Sequence, residues 1–139
     1  MTRPNTPLPI IAVLLAVLAD GAAAQETAAI AAVIDHQLDA FNAGEVDEAW
    51  QDASPGIQGI FMTPDNFAAM VQSGYPMVWA NDDATFLELR TEADGRLWQL
   101  VRLRAADGSI HLLDYAMIET AEGWKIDAVV LVPMDDVGV

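Results

Sequence analysis

The chain has 139 residues, no cysteine, and 21 acidic against 6 basic residues, for a formal charge of −15 at pH 7. That length holds one domain at most. The missing cysteines exclude disulfides, thiol nucleophiles, thiolate metal sites and a lipid-modified cysteine, and the acidic balance makes nucleic acid and anionic membranes poor partners.

The first residues carry an export pattern. Met1-Thr2-Arg3-Pro4 has a single positive charge, Leu8 to Leu18 is an apolar run, and Ala22-Ala23-Ala24 is a small-residue exit. This is the order of a secretory signal peptide, cut after Ala24. The apolar run is roughly half the length that a membrane-crossing helix needs. Residues 1–24 are therefore expected to be a signal peptide and residues 25–139 one mature domain. Its expected place is the periplasm or the outside of the cell, with no membrane attachment after cleavage. Arg3 and Asp20 leave together, so the net charge survives processing.

From Thr27, Ile30, Val33, Ile34, Leu38 and Phe41 recur at intervals of three and four, which predicts one helix ending near Asn42 with Gly44 as its stop. His36 lies on the flank of that stripe, where a general base looks toward a pocket; a solvated face is the plainer reading for it and for Asp35 and Asp39. Glu45 to Ala53 reads as a short helix with acidic residues opposing the helix dipole at its start. Ser54-Pro55 and Thr63-Pro64 each place a hydroxyl cap before a residue already fixed at helical φ, so each opens another helix, the second ending at Gly74. Tyr75 to Trp79 is an aromatic connector, too punctuated for a helix, expected to cross the open end of a sheet. Asn81-Asp82-Asp83 is expected to be a polar break before the first strand.

Four strands should follow, at 84–91, 97–104, 110–119 and 124–132, separated by short turns around Gly95, Gly108 and Gly123. Connections this short require antiparallel neighbours. A two-residue Asp107-Gly108 hairpin would pair Leu103 with Leu112, Val101 with Asp114 and Gln99 with Ala116. The helix-covered face would then carry Val101, Leu103, Leu112, Gln99 and Asp114. The opposite face would present Trp98, Leu100, Leu113, Tyr115 and Met117, an apolar patch expected to close a homodimer.

Asp114 is the most informative single residue in that register. A carboxylate on an apolar inner face must be paired, hydrogen-bonded or pushed toward its neutral form, and a raised pKa would make it a usable acid or base. A hydrogen bond to Gln99, Tyr75 or a backbone amide, or a bulge that turns it outward, would make it structural instead. No phosphate loop or nucleophile elbow is present. His36 and His111 sit on different elements, and neither Asp82-Asp83 nor Asp135-Asp136 has the spacing of a calcium loop, so no metal site and no cofactor is expected.

Helices followed by a curved antiparallel sheet resemble the nuclear transport factor 2-like fold, also called the cystatin-like α+β roll. Val33-Ile-Asp-His-Gln-Leu-Asp-Ala-Phe41, Ala49 with Ala53-Ser-Pro55, Phe67 with Met70-Val71 and Gly74-Tyr75, and Gly123-Trp-Lys-Ile126 leading to Val130-Leu-Val-Pro133 resemble the exported bacterial family of domain of unknown function 4864. The resemblance implies an α+β fold with helices over 27–74 and a four-stranded sheet over 84–133. It brings no catalytic residues with it. The expected function is binding of a small apolar ligand or a partner in the cone between sheet and helices, with Tyr75, Trp79, Gln99 and Asp114 lining it. Two alternatives stand beside this: an acid/base enzyme of the isomerase, cyclase or dehydratase kind using Asp114 or His36, and a protein-interaction module. An enzyme is the less favoured of these readings.

Overall fold

The computed structural model describes Thr2 and residues 8–134, with side chains from Gly21 onward. Most of the Met1–Pro4 stretch, the side chains of the Leu8–Leu18 run and the Asp135-Asp136 pair lie outside the described residues. Five helices precede four strands: α1 (Leu8–Ala43), α2 (Val46–Gln51), α3 (Pro55–Phe61), α4 (Pro64–Gly74), α5 (Pro76–Trp79), β1 (Asn81–Thr91), β2 (Leu97–Ala105), β3 (Ile110–Thr120) and β4 (Gly123–Val132). The strands form one antiparallel sheet in the order β1-β2-β3-β4, so the α+β architecture is as expected. Among the described residues no helix is long and apolar enough to cross a membrane.

α1 begins well before Thr27, because the alanine-rich stretch around Ala22–Ala24 is among the best helix-forming sequence and nothing there breaks it. Residues 21–29 are exposed, and the buried stripe starts at Ile30 and continues through Ile34, Leu38 and Phe41. The helix ends in a Schellman turn: Gly44 N–H donates to Phe41 O and Glu45 N–H to Ala40 O. Gly44 sits at φ +70, which a side chain would strain. The expected caps are in place, with Ser54 Oγ accepting from Ile57 N–H and Thr63 Oγ1 from Asn66 N–H. α2 stops short of Ala53, since Ala53 leaves the helix to bridge Ile126 of β4, with Ile126 N–H donating to Asp52 O and Ser54 N–H to Ile126 O at 2.8 Å each.

Two connectors differ from expectation. Pro76–Trp79 is a turn of helix, because Pro76 supplies helical φ and Tyr75 O accepts from both Val78 and Trp79 N–H. Asn81–Asp83 belongs to β1. Asn81 is buried there, its Nδ2 donating to Leu38 O at 2.9 Å and to Val78 O at 2.8 Å, while Asn42 Nδ2 donates to its side-chain and main-chain oxygens. One amide thus joins α1, α5 and β1, work that an apolar residue could not do.

The β2–β3 register is one residue away from the expected one. Leu103 pairs with His111, Val101 with Leu113, Leu100 with Asp114 and Gln99 with Tyr115. The turn holds three residues instead of two: Ala105 N–H donates to Ser109 O, Gly108 N–H returns to Ala105 O, and Gly108 takes φ +88. Because side chains alternate faces, that single residue moves the whole of β3 to the other side. Leu113, Tyr115 and Met117 are in the core, essentially unexposed, and Asp114 faces away from the helices. The five residues of the expected dimer patch therefore do not share a surface: Trp98 and Leu100 stand opposite the face that takes Leu113, Tyr115 and Met117.

Register shifts at Asn81/Asp83 and Phe86/Leu89 in β1 and at Ala116/Met117 against β4 bend the sheet around the helices. Gln99 serves the second of these. Its Nε2 donates to Leu87 O at 3.0 Å, Glu88 O at 3.3 Å and Leu100 O at 2.9 Å, satisfying carbonyls near the bulge.

Candidate functional site

The curved sheet and the helices do not close on each other completely. Between them lies a cavity of about 250 Å³. Its deep wall is α1 with strands β3 and β4, where Gln37, Phe41, Tyr115 and Ile126 stand. Half-buried Ile57 and Phe61 of α3, Met70 of α4, Tyr75 and Val129 stand nearer the surface and rim it. Phe67 organises the helical side, its ring 5.9 Å from Phe41, 5.6 Å from Trp50 and 5.9 Å from Phe61 in tilted or edge contacts.

The wall carries no charged residue; its polar side chains are Gln37, Tyr75 and Tyr115. Gln37 Nε2 donates to Ala49 O at 3.1 Å, and Tyr75 hydroxyl donates to Val129 O at 2.9 Å. The Tyr115 hydroxyl is buried and has no hydrogen-bond partner among the described residues. Burial, with the neighbouring Tyr75 phenol adding to it, pushes the Tyr115 pKa well above the usual tyrosine range, so the group stays protonated.

Of the residues expected at the pocket, Tyr75 lines this cavity. Trp79 packs on Phe41, its ring centroid 5.6 Å away, and Gln99 is spent on the β1 bulge. Asp114 lies on the opposite face of the sheet, where Arg90 of β1 donates to both of its carboxylate oxygens, Nη1 to Oδ1 at 3.1 Å and Nη2 to Oδ2. Arg90 also donates to Glu92 at 2.5 Å. An open cleft beside this pair is lined by Trp98 and Val130, and Arg96 stands over the Trp98 ring at 5.0 Å. Arg96 reaches Asp127 at 2.9 Å, which in turn accepts from Ser54 Oγ at 2.7 Å. The two-residue hairpin expected from the sequence would put Tyr115 on the outer face. Leu113, Tyr115 and Met117 alternate as a core face does, but Leu112, Ala116 and Ile118 do so as well, so the pattern of the strand is compatible with either side.

His36 is half-exposed on α1 and does not line the cavity. Its Nδ1 lies 2.5 Å from Asp52 Oδ2 and its Nε2 3.4 Å from Glu48. The hydrogen bond to Asp52 and the charge of that carboxylate raise the His36 pKa, with Glu48 and Asp39 adding to the effect. Asp52 is raised as well, since its burial outweighs the opposing pull of His36 and Lys125. Both groups bind their protons more tightly in the folded chain, so each makes stability fall as pH rises. For His36 the contribution is whole below about pH 6.5 and is lost as pH climbs through the raised value. Solvent screening of a half-exposed group limits it to about 0.5–1 kcal/mol. The melting temperature should decline between pH 6 and 9, and His36→Asn should remove most of that decline. An unchanged slope in the variant would show that the pair does not carry the effect.

A family model described as domain of unknown function (DUF4864) matches residues 23–139. No curated protein and no solved structure matches the chain.

Proposed function

Since the chain belongs to the family described as domain of unknown function (DUF4864), with residues 23–139 inside its bounds, we propose from the site itself that it binds a small apolar ligand in the cone between helices and sheet. The cavity of about 250 Å³ with an almost wholly hydrocarbon wall carries this reading. Carboxylates and imidazoles are absent from that wall, so it offers binding surface without an acid/base pair. The order of helices, long α1 and bent four-stranded meander supports a nuclear transport factor 2-like roll. We place the protein in the bacterial periplasm or outside the cell. The exposure of residues 21–29 supports this, because the cut after Ala24 falls in an exposed stretch ahead of Ile30, the first buried residue among those described. Mass spectrometry of the protein from the envelope or medium should find Gln25 at its N-terminus; an intact Met1 chain confined to the cytoplasm would refute export.

Binding is tested by melting the purified protein with α-methylstyrene, an apolar monocyclic probe. A ligand at ten times its Kd should raise the melting temperature by about 5 °C. Val129→Phe, which adds volume at a half-buried cavity position that pairs with Tyr115 and so shares its face, should reduce that rise while the fold persists. No saturable rise for the wild type would remove the binding reading.

A further inference from the structure

The cavity also has a chemical preference, and this inference rests on the binding reading above. We propose that its ligand is a neutral molecule of monocyclic size bearing one hydroxyl group, and that Gln37 Oε1 accepts the hydrogen bond that this hydroxyl donates.

The size follows from the volume. A dry protein cavity of ~150 Å³ admits benzene, and this one offers about 250 Å³, room for a ring with a short substituent. Drug-sized ligands generally occupy ~300 Å³ or more. The charge follows from the wall. A buried carboxylate or ammonium needs a counter-charge or a full set of hydrogen bonds, and among the described residues no Asp, Glu, Lys, Arg or His lines the space. Ionic ligands are therefore rejected.

The polarity follows from Gln37, which stands in the deep wall on α1 and is only 4 % exposed. The backbone of α2 fixes which way its amide lies. Ala49 O accepts at 3.1 Å, so the nitrogen takes that side and the oxygen the other. Among the described residues nothing donates to that oxygen, although buried acceptors in natural structures nearly always have a donor. The buried side-chain atoms that are both unpartnered and sealed from solvent are Trp98 Nε1 and the Tyr115 hydroxyl. Gln37 Oε1 is not one of them, so it keeps open surface, and the space that Gln37 borders is the cavity. The amide nitrogen uses one of its two hydrogens and the oxygen neither of its lone pairs, so the larger unmet demand is for a donor. The Tyr75 hydroxyl does not supply it, since it already donates to Val129 O. A hydrocarbon ligand strips water from Oε1 and returns nothing, whereas a ligand hydroxyl restores the bond.

4-Fluorophenol and 4-fluorotoluene have nearly the same shape and differ in a hydroxyl against a methyl. Their affinities should be measured by calorimetry at neutral pH on the wild type and on Gln37→Met, which keeps the length of the side chain and removes the acceptor. The affinity of 4-fluorophenol relative to 4-fluorotoluene should fall roughly tenfold in Gln37→Met, about the worth of one hydrogen bond, with 4-fluorotoluene itself changing less than about threefold. Taking the ratio in both proteins cancels the cost of drying the phenol. Fluorine NMR on the wild type gives a readout that does not depend on the variant folding. A hydroxyl that donates pushes electron density into its ring, so the fluorine of bound 4-fluorophenol should move upfield of its position in hexane by more than that of 4-fluorotoluene does. An unchanged ratio in the folded variant, or no extra upfield displacement, overturns the role of Gln37 while leaving apolar binding intact. Failure of both probes and of α-methylstyrene to bind the wild type overturns the cavity reading itself, and the present inference with it.

Discussion

Leu113→Ala should cost about 3 kcal/mol of unfolding free energy, whereas Leu131→Ala, the change at its register partner, should cost less than about 1 kcal/mol. Leu113 is 0 % exposed in the middle of the sheet and in the core cluster with Ile34, Val101 and Tyr115. Leu131 lies opposite it on the edge strand and is 43 % exposed. The alanine leaves a cavity in the first case and trims a wet surface in the second. For a domain whose whole stability is of the order of 5–15 kcal/mol, the first loss is large enough to shift the urea midpoint plainly. A cost below about 1 kcal/mol for Leu113→Ala would mean that β3 presents its other face to the helices.

Arg90→Leu should cost about 2–3 kcal/mol, and Asp114→Leu less than about 1 kcal/mol. The asymmetry comes from burial. The Asp114 side chain is 12 % exposed and the Arg90 side chain 33 %. Losing Arg90 strands a carboxylate away from water, and the cost approaches that of breaking a buried pair, reduced because some solvent still reaches it. Losing Asp114 frees a guanidinium that keeps Glu92 and can turn to water. The double change Arg90→Leu/Asp114→Leu should recover much of what Arg90→Leu loses, since no charge is then left unpaired. Urea denaturation of the three variants at pH 7 checks the set. A double variant as unstable as the sum of the singles would show that the two residues act independently.

The contrast between Asp114 and Tyr115 shows where reading from residues alone stopped. Both are adjacent on one strand whose position and length were legible from its β-branched and aromatic run. Which one faces the helices hung on whether the turn holds two residues or three. Asp107-Gly108 is compatible with both. In the folded chain Ala106 N–H donates to Ala80 O, a contact from a distant segment that belongs to the three-residue form. Gln99 gives a second case. A buried amide was visible as an oddity, but its partners are carbonyls beside a bulge in another strand.

What the sequence determined by itself is local: the α1 stripe, the Gly44 stop, the Ser54 and Thr63 caps and the four antiparallel strands. Each rests on chemistry within a few residues, such as a hydroxyl placed beside a free helix N–H or a glycine where φ must be positive. The tertiary structure alone decided the β3 face, the Arg90–Asp114 pair, the Asn81 joint and the cavity with its unpartnered Tyr115 hydroxyl. Strand side chains alternate with a period of two, so one residue in a turn inverts a face, and a cavity is a failure of distant surfaces to meet. Neither quantity is a property of any short stretch of chain.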